Sequence, residues 1–404
     1  MDLFLSKPGV MSCAGNNIEE LWDSVIKGNQ SGIRKTTACS GEEFFAARIQ
    51  DSDLKPASAR YDMKIIRIEE AALNQISNDV NSAVSKYGAD RIAVCVGSCD
   101  NGTEFSTMAH RKYFKEGEFP KDYTLEIQGA DYAASMVAEK FGLHGPVNTF
   151  STACSSSAGA IVKGAEMILA GLVDAAVVGG VDIASDTTLI GFNALEAVSA
   201  EITNPLSKNR HGITLGDGAA FFVLSKEPLD SKPSDKAVIL LRGWGESADA
   251  YHMTSPDPSG AGAEKAIRRA LESAGISAAD VGYINLHGTG TKLNDSMESK
   301  AVAAIFNSNG IKVPLSSTKA ITGHTLGAAA ALEAAICWKA LFENIGKNDN
   351  IKLPVQVWDG VQDEELPQLN IVDSKSGGMK GPLKVCLSNS FAFGGANACL
   401  VLGL

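Results

Sequence analysis

Residues 151–171 read STACSSSAGAIVKGAEMILAG, and residues 316–336 read SSTKAITGHTLGAAAALEAAI. In each, a β-prone run leads into a helical stretch built mostly of Ala, Gly and Ser. Such a helix has little amphipathic pattern and is stable only when packed closely on every side. Two of them, one per half of the chain, predict two sheets sandwiching a central helical layer. The small residues let backbones approach, which leaves the Cys154 thiol as the chemically notable group at the first helix start.

Around the first stretch, β-branched runs at 91–97, 146–152, 174–183 and 218–226 alternate with helical patterns at 16–27, 66–86, 128–141 and 155–171. After the polar, proline-containing stretch EPLDSKPSDK (227–236) the alternation restarts. Strands are expected at 237–246, 281–286, 312–317, 383–388 and 397–403, with helices at 261–274, 295–306 and 324–343. Strand–helix alternation means an α/β fold with sheets at least partly parallel. The expected division is an N-terminal half over 1–235 carrying the cysteine and a C-terminal half over 236–404 carrying two histidines.

Composition bounds the function. The 404 residues are 45% hydrophobic and 21% charged, ample for a large core, and 40 glycines imply many tight turns. A net charge of −11 argues against nonspecific attraction to nucleic acid or anionic membrane. No run reaches the roughly eighteen apolar residues of a membrane span, and MDLFLSKPGV lacks the pattern of a signal peptide, so a cytoplasmic location is expected. Eight cysteines without a secretion signal argue against disulfides. Cys95 and Cys99 have no second ligand pair at zinc spacing, so no metal is expected. Cys95, Cys337, Cys386 and Cys399 lie in apolar segments and read as small core residues.

A helix start carries unpaired N–H groups and the positive end of the dipole, which favour a thiolate and can donate to an oxyanion. Cys154 is therefore the candidate nucleophile. His287 and His324 each sit at a strand end among Gly and Thr, the composition of a functional loop. Lys319 lies beside them in the second repeated stretch. His110, His144, His211 and His252 have no such context and read as loop or surface residues.

The stretches STACSSS (151–157), NRHGITLGDGAA (209–220), GWGESADAYHMTSP (243–256), INLHGTGT (284–291), SSTKAITGH (316–324) and SNSFAFGGANA (388–398) together resemble the elongating β-ketoacyl-[acyl-carrier-protein] synthases, thiolase-fold condensing enzymes of fatty acid and polyketide synthesis. The resemblance implies a thiolase-like α/β fold, a duplicated five-layered αβαβα architecture with two mixed sheets around central buried helices. It implies Cys154 as nucleophile, His287 and His324 as the paired imidazoles, and Lys319 with Glu298 as its acidic partner. The Cys-His-His pattern differs from the Cys-His-Asn of initiating enzymes and from thiolases, which use a second cysteine. A non-catalytic partner subunit resembling a chain-length factor and a coenzyme A thiolase are the alternatives.

Condensation needs a thiolate to accept the acyl group and a carbanion formed by loss of CO2 from a malonyl thioester, so an enolate oxygen must be stabilised. Two imidazole N–H donors do this. The resemblance implies a second oxyanion hole from the backbone N–H groups of Cys154 and Phe393, and a gate formed by Phe393 with Gly394 and Gly395. Thr289 and Thr291 are expected on the phosphopantetheine arm, with Thr254 and Ser255 at the channel mouth. An acyl carrier protein is the expected partner, docking on Lys64 and Arg67 or on Arg111, Lys112 and Lys115. The chain is expected to form a homodimer through VNTFSTA (147–153). No cofactor is expected, since the substrates carry their own phosphopantetheine; a structural monovalent cation is left open. Three departures stand out: NPLSKNRHG (204–212) keeps Arg210 and Gly212 but loses a charge pair, Ala392 replaces a glycine, and KLND (292–295) replaces a proline turn while retaining Asp295.

Overall fold

The computed structural model describes residues 2–58, 60–100, 102–229, 238–376 and 379–404, with residue 104 described by its backbone alone. The expected half boundary at 235/236 and most of the stretch at 227–236 lie outside these residues.

The two halves repeat one strand pattern. In the first, Ile92–Gly97 pairs in parallel with both Val147–Phe150 and Ala175–Asp182, and the latter pairs antiparallel with Gly218–Ser225. In the second, Tyr283–Asn285 pairs in parallel with Pro314–Ser316 and Val385–Phe391, and the latter pairs antiparallel with Ala396–Gly403. The strand Leu3–Leu5 pairs antiparallel with Gly218–Ser225 on one side and with Leu240–Ala248 on the other. The two expected sheets are thereby joined into one hydrogen-bonded ladder of twelve described strands.

The helices Ser156–Leu169 and Ala329–Glu343 pack against each other and against strands of the ladder. In the second, every residue from Ala329 to Leu341 is buried. The reason for the small side chains is visible at their contacts. A Cβ on Gly164 would meet Val178 Cγ1 at 2.4 Å, and one on Gly97 would meet the backbone N of Ser157 at 2.3 Å. Any larger residue would push helix and strand apart and open voids in a close-packed core.

Several elements depart from the periodicity reading. The helix expected at 66–86 is broken into Lys64–Leu73 and Ser77–Tyr87 by a tighter turn at Asn74–Ile76. The helix expected from 324 begins at Ala329, and a four-residue helix Lys319–Thr322 precedes it. Between them, Leu326 adopts φ 50° at the start of the turn Leu326–Ala328. The first half repeats this: Ala153 has φ 52° at the start of Ala153–Ser155, before Ser156–Leu169. The structural repeat therefore matches Cys154 to Gly327, whereas the sequence overlay set Cys154 against Lys319. Helices Thr103–Glu116 and Asp186–Ala194 had no counterpart in the periodicity reading.

Candidate active site

The first half supplies the thiol. Cys154 follows the strand Val147–Phe150 on a tight turn whose left-handed Ala153 costs about 1–2 kcal/mol. Ser156 Oγ locks this turn, accepting from Thr152 N at 2.9 Å and donating to Ala153 O at 2.6 Å. Cys154 is buried, and burial pushes its thiol up to about 11 against the opposing Lys319 charge and the backbone N–H groups of Phe393 and Cys154. The helix-start reading anticipated a stabilised thiolate. Desolvation outweighs those donors, so the group is a thiol at neutral pH.

The second half supplies both imidazoles, from loops that follow the parallel strands Tyr283–Asn285 and Pro314–Ser316. The His287 loop is held by Glu298, whose carboxylate accepts from His287 N at 2.9 Å, Gly288 N at 2.7 Å and Asn389 Nδ2 at 3.2 Å. The His324 backbone is held by the first half, donating to Thr214 O at 2.7 Å. The rings stand edge to face with centroids 5.3 Å apart. One ligand atom each from Cys154, His287 and His324 lies within 4.8 Å of the others.

Lys319 does not pair with Glu298. Its buried ammonium forms an ion pair with Glu333, donates to His287 O at 2.6 Å and lies 3.4 Å from His287 Nδ1. Glu333 comes from the central helix Ala329–Glu343, so the pairing depends on helix packing rather than on sequence proximity. Glu298 instead organises backbone, and burial pushes its carboxyl up to about 7 against the N–H groups that it accepts.

These contacts fix which way each imidazole faces chemically. Leu326 N donates to His324 Nδ1 at 3.1 Å, so that nitrogen holds the lone pair and Nε2 carries the proton. The ammonium beside His287 Nδ1 has no acceptor capacity and imposes the same tautomer. Burial and the Lys319 charge hold both rings well below the usual imidazole range, hence neutral. His324 Nε2 is buried without a hydrogen-bond partner among the described residues. With Nδ1 engaged in both rings, the proton of each sits on Nε2; one ring nitrogen of each lies within 4.8 Å of the thiol sulfur, and an N–H donor in this cluster suits an oxyanion, whereas a metal ion would need lone pairs.

A cavity of about 450 Å³ reaches this trio and is lined also by Thr254, Ser255, Thr289, Thr291 and Phe393. Thr289 and Thr291 are joined through their hydroxyls at 3.0 Å. Gly394 and Gly395 carry φ 85° and 79° in the turn after Phe393, and the Phe393 ring lies 5.7 Å from that of Phe192. Phe192 and Leu195 reach the cavity from Asp186–Ala194 and its end, an element that the sequence reading lacked. His211, read from sequence as a loop residue, is exposed and also lines the cavity. Only its place in NRHGITLGDGAA could have singled it out.

The expected docking pair is engaged within the chain. Lys64 Nζ bridges to the buried Asp217 at 2.8 Å, and Arg67 grips Asp62 in a two-pronged contact at 2.6 and 2.7 Å. Arg111 and Lys115 are exposed on Thr103–Glu116. Arg210, kept in the segment that departs from the family pattern, pairs with Asp363. Asp295 accepts from Leu206 N at 2.8 Å and Gly290 N at 3.2 Å, tying the two loops together.

Residues 9–229 match the family model of the β-ketoacyl synthase N-terminal domain, and residues 238–347 match that of its C-terminal domain. A 3-oxoacyl-[acyl-carrier-protein] synthase 2 of Coxiella burnetii is 32% identical, covering 98% of this chain and 96% of the relative. The synthase of the same name from Vibrio harveyi is also 32% identical, covering 97% and 96%. Among solved structures, a ketosynthase in complex with its chain length factor from Xenorhabdus doucetiae superposes with a TM-score of 0.88 at 38% identity, covering 100% of this chain and 98% of that one. With a duplicated fold that brings one thiol under two N–H-presenting imidazoles, the chain belongs to the β-ketoacyl synthase family.

Proposed function

We propose that this protein is a β-ketoacyl-[acyl-carrier-protein] synthase that extends acyl chains by decarboxylative condensation with malonyl-acyl-carrier-protein, in fatty acid or polyketide elongation. The observation that carries the reading is the clustering of the Cys154 thiol with two imidazoles whose Nδ1 atoms are engaged, which leaves Nε2–H as the donor of each.

In the first half-reaction Cys154 sulfur attacks the acyl thioester carbonyl, and the N–H groups of Cys154 and Phe393 receive the oxyanion. The carrier's thiol leaves and takes up the proton lost by Cys154. In the second, malonyl thioester occupies the same channel with its carbonyl oxygen between His287 and His324. Its carboxylate departs as CO2, and the electron pair of the broken C–C bond becomes the enolate that the two N–H groups stabilise. The enolate carbon then attacks the acyl group on Cys154, forming the new C–C bond and releasing the cysteine sulfur as a thiolate, which takes up a proton from solvent to restore the thiol. Lys319 holds the His287 loop and the charge balance with Glu333, and needs to transfer no proton.

The channel threonines Thr289 and Thr291 serve the phosphopantetheine arm in this reading, with Thr254 and Ser255 nearer the mouth and Phe393 as gate. No helix among the described residues is long and apolar enough to cross a membrane, in keeping with a cytoplasmic site of action. The half boundary near 235 is part of the same proposal. So is a dimer through Val147–Phe150, which lies at the end of the strand order with side chains partly exposed. The ketosynthase–chain length factor complex among the relatives favours a second reading of that edge, pairing with a non-identical subunit.

Purified protein, acyl-carrier-bound acyl groups and malonyl-carrier test the function directly. A β-ketoacyl-carrier product with matching CO2 release is expected. Acyl transfer to Cys154 without CO2 release would overturn it.

A further inference from the structure

The buried carboxylate Asp182 belongs to no step above, yet it joins the two halves beneath the reacting groups. It ends the first-half strand Ala175–Asp182 and is 1% exposed. Its Oδ2 accepts two backbone N–H groups at 2.8 Å each, one from Cys99 in the first half and one from Gly327 in the second. The join is tight: a Cβ on Gly327 would lie 2.8 Å from Asp182 Oδ2 and 2.9 Å from both Cys99 N and Ser98 Cα.

Gly327 matters because of what precedes it. Leu326 holds φ 50°, and its N–H is the donor that fixes the His324 tautomer. A left-handed leucine is disfavoured by about 1–2 kcal/mol and persists only where its surroundings over-determine it. The bond from Gly327 N to Asp182 pins the next peptide along. Without it the turn can relax, Leu326 N–H swings away, and Nδ1 is free to take the proton. His324 would then turn a lone pair toward the enolate oxygen. The contact from Asp182 toward Cys154 is looser, running through Cys99, whose Sγ lies 3.4 Å from Ala153 O.

Building on the condensing reading, we propose that Asp182 is a positioning residue for malonyl decarboxylation, setting the His324 tautomer through the Gly327–Leu326 turn. Burial and the neighbouring Asp100 push its carboxyl up to about 7, so the N–H donors of Cys99 and Gly327, with Ile183 N on Oδ1 at 3.3 Å, are what favour its ionised, accepting form. The Asp100 carboxylate is itself held by Tyr132 Oη at 2.8 Å and Gly102 N at 2.7 Å.

The test compares wild type, Asp182→Ala and Asp182→Asn in the two half-reactions, with imidazole 15N NMR of the histidine-labelled enzyme. Asp182→Ala is expected to slow CO2 release from malonyl-carrier roughly 10- to 100-fold, as misplacing a reacting group by about 1 Å does. Cys154 acylation should change far less, and the His324 signals should move from a single Nε2–H form toward a mixture. Asp182→Asn, whose amide oxygen can accept both N–H groups, should restore the wild-type spectrum and most of the rate. Equal losses in both half-reactions, or an unchanged His324 tautomer in Asp182→Ala, would overturn the proposal. If Asp182→Ala does not fold, the same ratio and spectrum are read on Asp182→Ser, too short to reach both donors. Failure of wild type to release CO2 would count against the condensing reading itself.

Discussion

Lys319 and Glu333 form an ion pair closed off from solvent, with the lysine also donating to the carbonyl of His287. A carboxylate from a central helix is thus tied to the loop that carries a reacting imidazole. Removing one member of a buried pair leaves the other charged and uncompensated, which costs about 3–5 kcal/mol. Glu333→Gln should lower thermal stability by that order. Glu298→Gln should keep the pair and instead loosen the His287 loop, slowing CO2 release with a smaller loss of stability. Melting curves beside CO2 assays separate the two; identical behaviour would refute the assignment of partners.

The two half-reactions are separable by mutation. Cys154→Ala should abolish acylation and retain malonyl decarboxylation, because the proposed mechanism builds the enolate site from His287 and His324. Either histidine changed to Ala should cost decarboxylation about 10²- to 10³-fold, the usual loss on removing one oxyanion donor. Complete loss of CO2 release in a folded Cys154→Ala protein would contradict this division of labour.

Burial sets the pH response of the thiol. With the thiol of Cys154 pushed up to about 11, the thiolate fraction grows about tenfold per pH unit below that value. Iodoacetamide alkylation of residue 154, followed by peptide mass, should therefore climb steadily from pH 7 to pH 10. Lys319→Ala removes the charge that favours the thiolate and should depress the rate at every pH. A plateau near neutrality would mean that the donors beat desolvation after all.

Charge reversal at Lys64 should act on stability before it acts on docking. Its amine compensates Asp217, which is 1% exposed and accepts from Ile49 N and Ala184 N. Lys64→Glu should destabilise the fold by about 3 kcal/mol or more. Arg111→Glu and Lys115→Glu should leave the melting temperature within about 2 °C, given how little exposed charges contribute. A higher KM for carrier-bound substrates with unchanged pantetheine substrates, in either of these two variants, would identify the docking face.

The proposed gate at Phe393 is followed by two glycines. Gly394 and Gly395 hold the left-handed backbone, whereas Ala392 does not, and Gly395 N donates to Ala392 O at 3.0 Å to close the turn. If opening requires Ala392 to visit that region, its Cβ opposes the motion by about 1 kcal/mol. Ala392→Gly should then speed single-turnover acylation of Cys154 by long acyl chains more than by short ones. Equal rates for both lengths in the variant and in wild type would make the alanine silent.

The residue pattern by itself determined the repeated small-residue helices and the strand–helix alternation, and it singled out Cys154, His287 and His324 by local composition; the role of Lys319 rests on the family resemblance, since the overlay that set it against Cys154 is not the structural repeat. It missed Thr103–Glu116 and Asp186–Ala194, whose Thr, Gly and aromatic content gives weak helical periodicity. Only the tertiary structure decided that Glu333 compensates Lys319, that Glu298 holds a loop, that Asp217 takes up Lys64 and that both imidazoles have Nδ1 engaged and the proton on Nε2. It also reversed the expectation for the thiol. Partner choice, tautomer and ionisation depend on distance and desolvation, and in this chain both are set where segments far apart in sequence pack together.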